Sequence, residues 1–187
     1  MKKLLLAAIA LLGTYTATGQ KTIEGVTVEK NITVAGQELD LNGAGLREKL
    51  WYNLYVGALY VNTKSRDGNA LVKADKAMAI TLDITDEVVT QEKMKTSVED
   101  GFGDSCTSKE RKAIQSEINE FIGFFSQPIV KGDHFEIAYI PGKGTLVSKN
   151  AKYIGTIKGL QFKKGLFGIW LGNDPVDEDL KEGMLKG

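Results

Sequence analysis

The sequence predicts an α+β fold built on an antiparallel sheet. Three observations lead there. Short runs of β-branched and aromatic residues, separated by turn signals, fill residues 22–84 and 135–157. Between them lie two segments with apolar residues at helical spacing, and a third helical region closes the chain. Strands are grouped with strands and helices with helices, which favours hairpins over parallel βαβ units.

The chain opens on a leader. Lys2 and Lys3 precede an unbroken apolar run, residues 4–12, followed by Ala17-Thr18-Gly19, a small-x-small cleavage pattern. Nine apolar residues fall short of the ~20 that span a bilayer. Residues 1–19 are therefore expected to be a signal peptide and residues 20–187 a single domain, exported to the periplasm or secreted. No later stretch reads as a transmembrane segment.

Residues 22–28 read as the first strand. Residues 32–34 and 38–41 follow, separated by a Gly36 turn, and Asn42-Gly43-Ala44-Gly45 reads as a tight turn or bulge. Residues 50–61 form a long strand candidate, 64–69 a polar loop. In 77–84, Met78, Ile80, Leu82 and Ile84 share one face.

A helix capped by Thr85 or Asp86 carries Thr90, Met94, Val98 and Phe102 at every fourth position, and Gly101 and Gly103 end it. Thr107 and Glu110 form a capping box that opens a second helix. Its apolar face runs from Ile114 to Phe125, and Gln127-Pro128 stops it. Residues 135–140, 145–148 and 153–157 are strands joined by Pro141-Gly142-Lys143-Gly144 and Asn150-Ala151, both hairpin signals. Residues 165–171 are a short apolar helix. Asp174-Pro175 caps the last one, with Leu180 and Met184 marking one face.

Composition narrows the chemistry. The 187 residues hold 24 basic and 24 acidic side chains; loss of Lys2 and Lys3 with the leader leaves a formal charge of −2. With no basic block, nucleic acid and an electrostatic membrane partner are excluded. Cys106 and His134 are each the sole residue of their type, so no intrachain disulfide and no Cys/His zinc site is expected. His134 begins a strand and reads as solvent-facing. Gly142-Lys143-Gly144-Thr145 lacks the following helix that a phosphate loop needs, and reads as a turn. Asp174, Asp177, Glu178 and Asp179 complement a helix N-terminus. No metal and no cofactor are expected, and nothing sets an oligomeric state.

The segment that exceeds fold grammar is Gly43-Ala44-Gly45-Leu46-Arg47, followed by Tyr55-Val56-Gly57-Ala58. The glycines permit a sharp bend just before Arg47. On one straight strand Arg47 and Tyr55 would stand about 26 Å apart. They share a site only if the chain turns between them. An exposed Arg47 and a core-filling Tyr55 are the simpler reading of the residues alone.

Taken in order, this segment, Asp133-x-Phe135, Tyr139-x-Pro141-Gly142-x-Gly144-Thr145, Gly155-Thr156-Ile157 and Phe167-Gly168-Ile169-Trp170-Leu171-Gly172 resemble the chalcone isomerase-like family, nearest its bacterial exported branch. The resemblance implies an open-faced β-sandwich, a large antiparallel sheet covered on one face by a layer of helices. It also implies a cleft between the two layers. Plant members of the family close a chalcone to a flavanone without a cofactor, through an arginine, tyrosine, threonine and asparagine network; related plastid proteins bind fatty acids through the arginine. Arg47 matches the family arginine. Tyr55 falls at the threonine position, Lys93 and Asp100 near the tyrosine and asparagine, and Lys163 near a late serine or threonine.

The resemblance thus implies a binding module in which Arg47 and Tyr55 anchor a small lipophilic or phenolic acid, fatty acid-like, without catalysis. One alternative is a cofactor-independent isomerase of the chalcone–flavanone type, an intramolecular lyase with Arg47 and Tyr55 as its catalytic pair. The other is a structural or partner-binding envelope protein.

Overall fold

The computed structural model describes residues 21–186; the expected leader, residues 1–19, lies outside them. Strands β1 (Lys21–Ile23) and β2 (Val26–Val28) pair as a hairpin of their own. The single strand expected over 22–28 is split because Glu24 and Gly25 both take left-handed backbone, as a two-residue hairpin turn requires.

A seven-stranded sheet follows in simple order. It comprises β3 (Asn31–Val34), β4 (Gln37–Lys49), β5 (Tyr52–Val61), β6 (Met78–Ile84), β7 (His134–Ile140), β8 (Gly144–Lys149) and β9 (Lys152–Ile157), each antiparallel to its neighbours. The two hairpin signals between β7, β8 and β9 are turns, with Gly142, Asn150 and Ala151 at positive φ.

Helices fill the connections. Helix α1 (Gly68–Lys73) begins within the segment expected to be a polar loop, capped by the Asp67 carboxylate, which accepts from the Ala70 amide at 2.9 Å. Helix α2 (Gln91–Ser105) is capped by Thr90, not by Thr85 or Asp86. Those two are engaged elsewhere: the Thr85 hydroxyl donates to the Asn53 carbonyl, and the Asp86 carboxylate accepts from the Val88 amide. Gly101 and Gly103 do not end α2; Gly101 is buried where the helix meets Ile169, so a bare backbone is needed there.

The Thr107–Glu110 capping box is present, but the second helix is two helices, α3 (Ser108–Ala113) and α4 (Gln115–Gly123). Non-helical backbone at Ile114 separates them, and Ile114 is buried in the core. Helix α5 (Leu160–Leu171) starts earlier than expected, after Gly159 at φ 105°. Helix α6 (Glu178–Met184) is capped by Asp177, whose side chain accepts from the Leu180 amide; Asp174-Pro175 precedes it in the loop.

Strand alternation divides the core between the two sheet faces. Met78, Ile80, Leu82 and Ile84 of β6 join Phe135, Ile137 and Tyr139 of β7 beneath helices α2, α4 and α5. On the other face Val56, Ala58, Tyr60, Ala79 and Ala138 meet Val28 and Ile23 of the β1–β2 hairpin. The sheet is thus covered by helices on one face and partly by a hairpin on the other.

Asn42-Gly43-Ala44-Gly45 is not a turn. It lies inside β4, with a register shift at Asn42 that makes it a bulge. Neither glycine is at positive φ. Their role is close approach: a Cβ on Gly43 would sit 2.4 Å from the Gly183 carbonyl oxygen, and one on Gly45 3.1 Å from that of Leu180. Helix α6 lies directly on this bare strand. Asn42 fastens the contact, donating to the Met184 and Ser65 carbonyls and accepting from the Ser65 amide.

Candidate functional site

The turn that brings Arg47 toward Tyr55 is Leu50-Trp51, between β4 and β5, and Leu50 takes φ 59° there. It lies where a continuous strand over 50–61 was expected. Arg47 and Tyr55 become directly opposed cross-strand partners on the helix-covered face. The Arg47 guanidinium carbon lies 5.5 Å from the Tyr55 ring centroid, within cation–π range.

Tyr55 is buried, yet its hydroxyl is not idle. It accepts a hydrogen bond from Trp170 Nε1 of α5 at 2.9 Å. Accepting there leaves its own proton available to a further acceptor. Burial raises the Tyr55 pKa, with the Arg47 charge and the Trp170 bond opposing. The phenol is a neutral donor, not a base.

Both residues line a cleft of about 460 Å³ between the β4–β5 hairpin and the N-terminal half of α2. That volume falls in the range of small-ligand sites. Its wall is apolar where Leu50, Leu54, Val88, Val89 and Met94 face it. Arg47, Lys49 and Lys93 bring positive charge, Glu92 and Asp100 negative. Arg47 is half-buried and makes no ion pair with any described residue. A half-buried guanidinium without a carboxylate is equipped to receive one from a ligand, through two parallel N–H donors.

His134 stands apart from this cleft. It projects from β7 on the face opposite Phe135, pairs across strands with Asp83 and holds its carboxylate through Nδ1 at 2.7 Å. It is half-buried, less solvent-facing than the sequence implied, because the neighbouring strand carries its partner.

A profile of the chalcone isomerase-like family matches residues 20–186. The chain belongs to the chalcone isomerase-like family. Among solved structures it is similar to a fatty-acid binding protein of Arabidopsis thaliana, at 16% identity over 87% of this chain and 92% of that one, with a TM-score of 0.70. No curated protein matches it by sequence.

Set on the chalcone isomerase-like fold, the residues matched to family site positions fall into two groups. Arg47, Tyr55, Lys93 and Asp100 all line the cleft. Lys163 does not. It is wholly buried in α5, and its ammonium donates to the carbonyls of Leu71, Val72 and Ala74 at 2.6–2.9 Å. These carbonyls lie at the C-terminus of α1, where helical partners run out. Burial lowers its pKa to about 8, with Asp75 pulling back, so at neutral pH it keeps the three protons the three carbonyls need.

Trp170, as the hydrogen-bond partner of Tyr55, was invisible to sequence reasoning. The two residues are 115 positions apart, and no local pattern joins them.

Proposed function

We propose that this chalcone isomerase-like protein binds a fatty-acid-like lipophilic acid in the cleft between β4, β5 and α2, with Arg47 taking the carboxylate. The observation that carries this reading is the half-buried Arg47 guanidinium, without a carboxylate partner among the described residues, at the end of an apolar wall. The Tyr55 hydroxyl, oriented by Trp170, adds a third donor. The Arabidopsis neighbour, which shares the fold, is described as a fatty-acid binding protein and supports the same reading.

The family's tyrosine and asparagine positions hold Lys93 and Asp100, so the network that orients a chalcone is not reproduced. Binding is favoured over cyclisation on that ground. The signal peptide expected over residues 1–19 supports a function outside the cytoplasm. Among the described residues no helix is long and apolar enough to cross a membrane.

Calorimetric titration with palmitate and oleate tests the reading. Wild-type protein is expected to bind, and Arg47→Ala to weaken binding by about 10- to 100-fold, the worth of a charge-assisted contact. Arg47→Lys falls between, because the paired donor geometry is lost. Equal affinity in wild type and Arg47→Ala overturns the reading. Chalcone turnover that Arg47→Ala abolishes would support the lyase instead.

A further inference from the structure

The large apolar side chains most exposed among the described residues are Leu50 and Trp51, 79% and 78% exposed, with Tyr153 at 61% and Val130 at 56%. Their placement is not scattered. Leu50-Trp51 is the β4–β5 turn. Tyr153 follows the β8–β9 turn, and Val130 sits just before β7. The antiparallel registers put the start of β5, the end of β6, the start of β7, the end of β8 and the start of β9 at one end of the sheet. All four residues therefore lie at the same end, with the Tyr153 ring laid along β9 and its hydroxyl donating to Thr156, and the cleft reaches that end through Lys49, Leu50 and Tyr52.

The Leu50-Trp51 turn is also unfavourable on its own terms. Leu50 occupies left-handed backbone at a turn position that glycine, asparagine or aspartate fill more easily. Neither side chain is repaid by burial within the chain. Trp51 stacks loosely on Tyr52, with ring centroids 5.7 Å apart, forming an aromatic pair at the tip. Tryptophan and tyrosine at a protruding edge suit the headgroup layer of a membrane, where one end of the ring is apolar and the other wet.

We propose that this end of the sheet docks on a phospholipid bilayer, Leu50 and Trp51 inserting and Tyr153 and Val130 resting on the interface. The cleft mouth then opens onto the lipid. Two facts favour a bilayer over a second copy of this chain or another protein. Leu50 and Trp51 together offer under roughly 500 Å² of surface, against the ~800 Å² that each partner of a stable protein interface contributes. Val130, just before β7, and Tyr153, in β9, stand two and four strands away from β5 instead of thickening the patch, an arrangement a plane accommodates and a pocket does not. The charges at that end are mixed, Lys49, Lys131 and Lys152 against Glu48 and Glu87, all exposed. The contact is apolar and independent of anionic lipid. Its purpose, supplying acyl ligand to the cleft, rests on the proposed function; the contact itself does not.

The chain carries its own probe. Trp51 is exposed, while Trp170 is 5% exposed and bonded to Tyr55, and these are the only two tryptophans. With phosphatidylcholine vesicles added to the full chain, emission is expected to shift to the blue through Trp51. Lipids brominated near the headgroup should quench it. Trp51→Ser should weaken vesicle co-sedimentation by on the order of tenfold or more, with palmitate affinity in vesicle-free solution unchanged. Tyr153→Ser should weaken it less, and raising the salt should leave it unchanged.

The proposal is overturned by an absent spectral shift, by a shift that appears without vesicles as protein concentration rises, or by Trp51→Ser sedimenting like wild type. The wild type separates the two readings: vesicle docking without palmitate binding sinks the ligand proposal alone, and palmitate binding without docking sinks this one alone.

Discussion

At the scale of single residues, the polar groups that burial makes expensive are held by several partners at once. Asp133 is the clearest. Burial pushes its carboxyl up, but the Lys149 ammonium at 2.7 Å, the Val130 amide and the Asn150 side chain together hold it below the usual carboxylate range. A depressed acid contributes stability that is complete above its unfolded value, near 4, and is lost as pH falls through the folded value. Asp133→Asn is therefore expected to flatten the acid limb of the stability profile below about pH 4. At pH 7 it should cost about 1–3 kcal/mol, because Lys149 loses its counter-charge. Urea unfolding from pH 2 to 7 checks both; an unchanged acid limb would show that Asp133 carries none of that dependence. Raised through its bond to Asp83, His134 has the opposite sign: its contribution is present below its unfolded value and fades as pH rises through the folded one.

Among the elements, the contact of α6 with β4 explains the glycine motif better than a bend does. At that crossing Gly183 faces back: a Cβ there would lie 2.8 Å from Gly45 Cα and 2.9 Å from the Ala44 carbonyl oxygen. The obstacles are backbone, so relief requires moving a helix or a strand, not turning a side chain. Gly45→Ala and Gly183→Ala are each expected to destabilise the fold by about 1–3 kcal/mol. The double variant should do so by less than the sum, since the first displacement already opens the gap. Urea midpoints of the two single variants and the pair measure this. Strict additivity would show that the two glycines do not share one contact. The same contact sets where Arg47 stands, two residues beyond Gly45 on the same face of β4.

On the scale of the whole molecule, the sheet is one continuous ladder from β3 to β9, and each strand pairs with the next in sequence. The helical layer shares a single apolar cluster with it, from Tyr55 to Met184. Such an arrangement is expected to unfold in one cooperative step. A chain starting at Gln20 should keep the same urea midpoint as the full chain, since the leader is expected to contribute nothing to this core. A lowered midpoint would assign residues 1–19 a place in the folded domain.

Much of this was legible before the structure. The strands of the second half, the face of β6, the Thr107–Glu110 box and the Leu180–Met184 face all follow from local periodicity and turn chemistry. Local rules also misled. Asn42-Gly43-Ala44-Gly45 is the bulge, not the turn, of the two readings its composition allows, while Asp174-Pro175 has cap composition but Asp177 does the capping. Leu50-Trp51 has strand composition but forms the turn, because left-handed backbone at Leu50 is imposed by the pairing of β4 with β5.

By itself, then, the sequence determined the α+β class, the family and the two residues, Arg47 and Tyr55, on which a site could rest. Each of these is written in spacing over a few residues or in the order of short motifs. Only the tertiary structure decided that Arg47 and Tyr55 face each other, that Trp170 holds the Tyr55 hydroxyl, and that Lys163 caps a helix outside the cleft. Those relations join residues from 8 to 115 positions apart. They depend on where a hairpin turns and how a helix lies on a sheet, and packing sets both where local pattern does not.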